Sequence, residues 1–132
     1  CFDELQLHPT TAPHEVAERL QGASVAITNK VHLDATALAA CPAPVVAVSP
    51  IIGGKAVKGP TAKMMTELGI IPSAAAVAQR YGHLLNGYII DTQDAAEAQG
   101  LSLRTVLAQT LMTTLDDKIA LARTALDLAD SL

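Results

Sequence analysis

Residues 45–60, VVAVSPIIGGKAVKGP, decide how the rest of the chain is read. The stretch opens on an apolar β-branched run, residues 45–48, which reads as a buried strand. It breaks at Ser49-Pro50, passes through Gly53-Gly54-Lys55 and then Lys58-Gly59-Pro60, and opens into a helix predicted over residues 61–68. A strand, a glycine loop and a helix start together form a common anion-binding arrangement. Amides at a helix start lack partners, and the helix dipole favours negative charge there. Lys55 and Lys58 add mobile positive charge to the same loop.

Working outward, strands and helices alternate on both sides of this stretch. Upstream, residues 2–8 alternate apolar and polar and read as a first strand, with Thr10 or Thr11 as cap of a helix over residues 14–20 that Gly22 ends. Residues 24–28, SVAIT, form a continuous apolar run expected as a central strand, and Asp34 caps a helix over residues 35–40. Downstream, Ala62, Met65 and Leu68 mark one helix, and Pro72-Ser73 begins a second over residues 74–81. Residues 87–91, GYIID, and residues 103–111 read as strands, with a helix starting at Asp94 between them. A last helix, residues 115–128, carries Ile119, Leu121, Ala122, Leu126 and Leu128 on its apolar side. Such alternation predicts a single three-layer α/β domain over residues 1–132. About five mostly parallel strands are expected, with helices on both faces, in a flavodoxin-like or Rossmann-like arrangement.

The composition narrows the possibilities. Half of the 132 residues are hydrophobic but only 2% are aromatic, so the core must be built from Ala, Val, Leu and Ile. A net charge of −4 with acids and bases interspersed argues against nucleic acid or an acidic membrane surface as partner. No apolar run approaches the roughly 20 residues of a membrane span, and no signal peptide is visible. Cys1 and Cys41 match no metal or redox spacing and read as incidental thiols of a reducing compartment. The chain opens on Cys1 rather than Met, which leaves room for residues upstream.

From Pro44 onward the segments VVAVSPIIGGKAVKGPTAKMMTELG, SAAAVAQRYG, LNGYIID and TLMTTLDDKIALAR resemble the carboxyl-terminal part of the 2-phospho-L-lactate transferases. Those enzymes build the deazaflavin coenzyme from a guanylylated three-carbon acid phosphate and a deazaflavin alcohol. The resemblance covers about two thirds of the chain, residues 44–132. Residues 1–42, around AERLQGASVAITNKVHLDATALAACP, instead resemble the amino-terminal substrate-domain segment of the D-2-hydroxyacid dehydrogenases. The change of resemblance falls in a helix-to-strand turn, where a recombined chain would keep its hydrophobic register. The two resemblances together imply a chimera, and most simply an engineered one. The other reading is a diverged natural transferase.

Neither resemblance brings a complete active site. The transferase resemblance implies Mg and a guanylylated substrate, but no GGTGG-type loop lies in residues 1–42. No G-x-G-x-x-G occurs anywhere in the chain. The expectation is therefore a recombined α/β domain without an intact active site: no catalytic residue, no metal ligand and no resident cofactor. The alternatives are a truncated phospholactyl transferase half and a weak phosphate- or nucleotide-binding module. The transferase resemblance implies contact of Ser49, Gly53, Gly54 and Lys55 with phosphate or deazaflavin. A plain turn with solvated lysines stands beside that reading as its equal. His8, His14, His32 and His83 are scattered without ligand spacing. Asp116 and Asp117 read as a helix N-terminal charge rather than a Mg site, Asp91 as the cap of the next turn, and Met64-Met65 as core packing. A homodimer through an exposed sheet edge or helix face is a further expectation, since fragments of larger folds expose apolar surface. Both families imply a cytoplasmic location.

Overall fold

The computed structural model describes residues 4, 6–23, 25–26, 31–39 and 43–132. They fall into two compact units, Cys1–Ala43 and Pro44–Leu132, each described by itself.

In the first unit, helix α1 (Val16–Leu20) follows a 3₁₀ turn, Pro13–Glu15, and helix α2 (Ala35–Ala39) lies further on. Neither Thr10 nor Thr11 caps α1, contrary to the sequence expectation. Both accept from the Arg19 guanidinium instead, the Thr10 carbonyl and the Thr11 hydroxyl each at 2.6 Å. The Glu15 carboxylate accepts from the Ala12 N–H at the start of the 3₁₀ turn at 2.7 Å while pairing with Arg19 at 2.7 Å. That backbone bond holds the Glu15 carboxyl below its ordinary range, burial opposes it and the Arg19 charge adds to it. Asp34 caps α2 as its position predicts, accepting from the Ala37 N–H at 2.7 Å. Of the two strands expected in this unit, Glu4 and residues 6–8, and Val25 and Ala26, are in no strand; the other residues of both lie outside those described.

The second unit carries the α/β fold. Its elements run β1 (Val46–Val48), β2 (Ile51–Ile52), β3 (Lys55–Ala56), α3 (Thr61–Glu67), α4 (Ala74–Tyr81), β4 (Gly87–Asp91), α5 (Ala95–Ala98), β5 (Arg104–Ala108) and α6 (Leu115–Asp130). β1, β4 and β5 form one parallel sheet in the order β1-β4-β5, and β2 pairs with β3 as a separate antiparallel hairpin. Five strands and the parallel majority match the α/β expectation, but the membership differs. The glycine loop supplies two of the five, and the strand expected over residues 103–111 is limited to five residues.

All five residues of β4 are buried, because this strand has a neighbour on each edge and helices over each face. The crossovers β1 to β4 and β4 to β5 step the same way across the sheet. Crossovers of one hand then place α4 and α5 on the same face. There Tyr88 and Ile90 pack with Ala74 and Ala78, flanked by Val77, Ala98 and Leu101. The alternate residue Ile89 faces the other side, where Leu121, Ala125 and Leu128 of α6 meet Val46, Val106 and Ala108. The spacing of 121, 125 and 128 is the i, i+4, i+7 stripe of a helix on a sheet. Ile119, placed on the apolar side by the sequence, is 40% exposed, since it falls about half a turn away from that stripe.

With one Phe and two Tyr in 132 residues, close approach takes over from aromatic bulk. Tyr88 is the exception. It is fully buried beneath two alanines, and its hydroxyl donates to the Ala74 carbonyl at 3.1 Å. Gly87 lets α6 come close: a Cβ there would meet Leu128 Cδ2 at 2.9 Å and Leu132 Cδ1 at 3.1 Å. Helix starts follow their capping signals. Ser73 accepts from Ala76 N–H at 3.0 Å, and Thr114 exchanges bonds with Asp117 in a capping box. The Thr114 and Thr113 donors hold the Asp117 carboxyl at a pKa of about 2.

Gly87→Ala is expected to push Leu128 off its seat on Ile89 and to lower unfolding free energy by about 1–3 kcal/mol, the usual cost of overpacking. Urea denaturation with an unchanged m-value checks this. A variant as stable as the parent would mean that α6 is free to shift.

Candidate functional site

The loops at the carboxyl end of the sheet, where open α/β folds place ligands, are held by three carboxylates spaced three residues apart: Asp91, Asp94 and Glu97. β4 ends on Asp91, a 3₁₀ turn carries the chain to Asp94, and α5 contains Glu97. Each accepts backbone N–H groups from a different segment. Asp91 is 2% exposed and accepts from Gln93 N–H at 3.0 Å, from Thr110 N–H at 2.9 Å and from the Thr110 hydroxyl at 3.1 Å. Asp94, also buried, accepts from Gly53 N–H at 2.9 and 3.2 Å through its two oxygens. Glu97 accepts from Ala75 N–H, in the first turn of α4, at 2.7 Å. Burial pushes the Asp91 carboxyl up, but the N–H groups of Gln93 and Thr110 and the Thr110 hydroxyl outweigh it, so its pKa lies below the ordinary value.

The glycine loop is a hairpin. Ile51 pairs with Ala56 and Ile52 with Lys55, leaving Gly53-Gly54 as a two-residue turn with φ of +55° and +74°. Two successive positive φ values are what a tight hairpin turn of this length needs, and glycine accepts them without strain. Ile51 is fully buried and anchors the hairpin. Ser49 is buried behind it: its N–H continues the β1–β4 ladder to the Ile89 carbonyl at 2.8 Å, and its hydroxyl donates to the Ile51 carbonyl at 3.0 Å and accepts from the Ile51 N–H at 3.1 Å. Burial pushes the neighbouring Tyr88 phenol up; Ser49 opposes this, and the charges of Glu97 and Asp94 add to it.

Of the four residues singled out in the sequence, Gly53, Gly54 and Lys55 share one hairpin and Ser49 lies just before it, and no two have the same role. Ser49 is closed onto its own backbone, the Gly53 amide is bonded to a carboxylate, Gly54 makes the turn, and Lys55 is exposed at the start of β3. Asp94 and Glu97 escaped the sequence reading as site residues. The signal available was the Asp-x-x-Asp-x-x-Glu spacing directly after a buried strand. Asp91 caps the following turn through Gln93 and also grips Thr110. No group of three or more His, Cys, Asp or Glu side chains that could hold a metal occurs among the described residues. The three carboxylates face N–H donors rather than one another, and donors aimed at the oxygens do not suit a cation. No helix among them is long and apolar enough to cross a membrane.

With this geometry in hand, the chain can be set beside known proteins. No family model matches it. It is similar to proteins named as phosphoenolpyruvate transferases and 2-phospho-L-lactate transferases. A phosphoenolpyruvate transferase of Kitasatospora aureofaciens is 45% identical over 100 residues, covering 71% of this chain and 30% of its own length. A phosphoenolpyruvate transferase of Streptomyces coelicolor is 40% identical over 98 residues, and the 2-phospho-L-lactate transferase of Methanocaldococcus jannaschii 35% over 88. The chain spans about 30% of the length of the curated relatives it matches.

These similarities overturn the expectation of an engineered, non-catalytic recombined domain. Over about 70% of its length the chain is 35–45% identical to natural proteins named as transferases. The missing glycine-rich loops carried the non-catalytic expectation. In a chain that spans 30% of its relatives, their absence says nothing about catalysis.

Asp91→Asn is expected to cost about 1–3 kcal/mol at neutral pH, because buried donors of Thr110 lose a charged acceptor. Because the folded carboxyl titrates below its unfolded value of about 3.9, its contribution is full above that value and is lost as pH falls through the folded pKa. The stability gap between parent and variant should therefore narrow in urea titrations as pH falls below the unfolded value of about 3.9. A constant gap would assign the loss to packing.

Proposed function

We propose that this chain serves the reaction after which its relatives are named, the transfer of a phosphoenolpyruvyl or 2-phospho-L-lactyl group, with the β2–β3 hairpin bordering the phosphorylated substrate. The observation that carries the reading is the sustained identity to these transferases together with an exposed lysine on a glycine hairpin at the carboxyl edge of the sheet. On the transferase resemblance the donor is a guanylylated three-carbon acid phosphate and the acceptor a deazaflavin alcohol. The alcohol oxygen forms a bond to the phosphorus that bears the three-carbon acid. The phosphoanhydride bond breaks, guanosine monophosphate departs and the hydroxyl proton is released.

The chain's own residues divide the work in this reading. Lys55 presents its ammonium as a point charge to the phosphoryl oxygens, where negative charge must be balanced as the transfer proceeds. Gly54 keeps the turn free of a side chain, so that a phosphate can approach the backbone. Ser49 and Gly53 hold the hairpin from inside.

The protein carrying this chain should turn over guanylylated phosphoenolpyruvate or guanylylated 2-phospho-L-lactate with a deazaflavin alcohol, read by mass spectrometry of the product. Lys55→Ala should lower kcat/KM about tenfold or more, the usual worth of one charged contact. Absence of turnover with both donors in the parent protein would overturn the proposal.

A further inference from the structure

Within the transferase reading, on which this step rests, we infer that Asp94 is the residue that positions the hairpin for its substrate. β2 and β3 pair through only two residue pairs, and so short a ribbon is barely stable on its own. Its turn is two adjacent glycines, both exposed, the residues with most backbone freedom to lose. Ile51 anchors the base of the hairpin. The tip is reached by the Asp94 carboxylate, 41 residues further along the chain, which takes the Gly53 N–H in both oxygens. Burying an ionised carboxylate is costly unless it is bonded to donors, so the bond ties the tip firmly to the end of β4. An incoming phosphate does not find the Gly53 amide open. It meets the outer side of the turn and Lys55, whose place is set two residues away by Asp94. Asp94 acts through the hairpin and is a positioning residue, not a catalytic one.

Three variants test this in the protein carrying the chain: Asp94→Ala, Asp94→Asn, which keeps one acceptor oxygen, and Lys55→Ala as a reference for loss of the contact itself. Hydrogen exchange at the Gly53 amide should quicken about tenfold in Asp94→Ala, with Ile89 and Ile90 unchanged. Titration with phosphoenolpyruvate, followed by the Gly54 and Lys55 amide shifts, should give a Kd raised about tenfold, equivalent to about 1.4 kcal/mol. In turnover, KM for the phosphorylated donor should rise by a similar factor with kcat held, and Asp94→Asn should restore both exchange protection and affinity. Faster exchange with unchanged Kd, or no change in Gly53 exchange, overturns the inference. A parent protein that binds phosphoenolpyruvate at the hairpin but does not turn over removes the transferase reading and leaves the positioning role to be decided by Kd alone. A parent whose Gly54 and Lys55 shifts do not respond overturns the inference as well.

Discussion

Three hydrogen-bonded carboxylates at the end of one strand hold the carboxyl edge of this fold together. A parallel sheet sends every strand out of the same edge into a connection, and those connections carry amides that the ladder does not satisfy. Here Asp91, Asp94 and Glu97 accept amides from the segment after β5, from the glycine hairpin and from the first turn of α4. Asp91 and Asp94 are buried, and their charge is balanced by donors rather than by cations. Loops that come from three separate stretches of sequence are thereby gathered around the end of β4.

The core below that edge is built for close approach. β4 offers Tyr88 and Ile90 to one face and Ile89 to the other, and alanines of α4 let the helix settle on the tyrosine ring. Gly87 does the same for α6 on the opposite face. Because the central strand is locked from both sides, the carboxylates that follow it start from a fixed point. A hairpin tied to them inherits that position.

This arrangement changes what the glycine loop can do. A loop of this composition is expected to cradle an anion in its amides, yet the anion on the Gly53 amide is the protein's own Asp94. The exposed positive charge of this stretch lies on Lys55, on the outward strand of the hairpin, and on Lys58. In the proposed function, that charge meets a phosphorylated three-carbon acid.

The sequence by itself determined the local features. The apolar runs of β1 and β4, the cap at Asp34, the helix start at Pro72-Ser73, and the helices α4 and α6 are all legible, because propensity, capping and hydrophobic period act over a few neighbouring residues. Ile-Ile-Gly-Gly-Lys-Ala also carried a two-residue hairpin signal, overshadowed by the helix start that follows it. Only the tertiary structure decided the rest. Burial of Leu121 rather than Ile119 depends on where α6 lies on the sheet. Thr10 and Thr11 serve Arg19 rather than a helix start because a long side chain reaches back from the next turn. Above all, the bond from Asp94 to Gly53 joins residues 41 positions apart. No periodicity or propensity records such a pair, since it exists only once β4 has been locked between its helices and the hairpin has folded over its end.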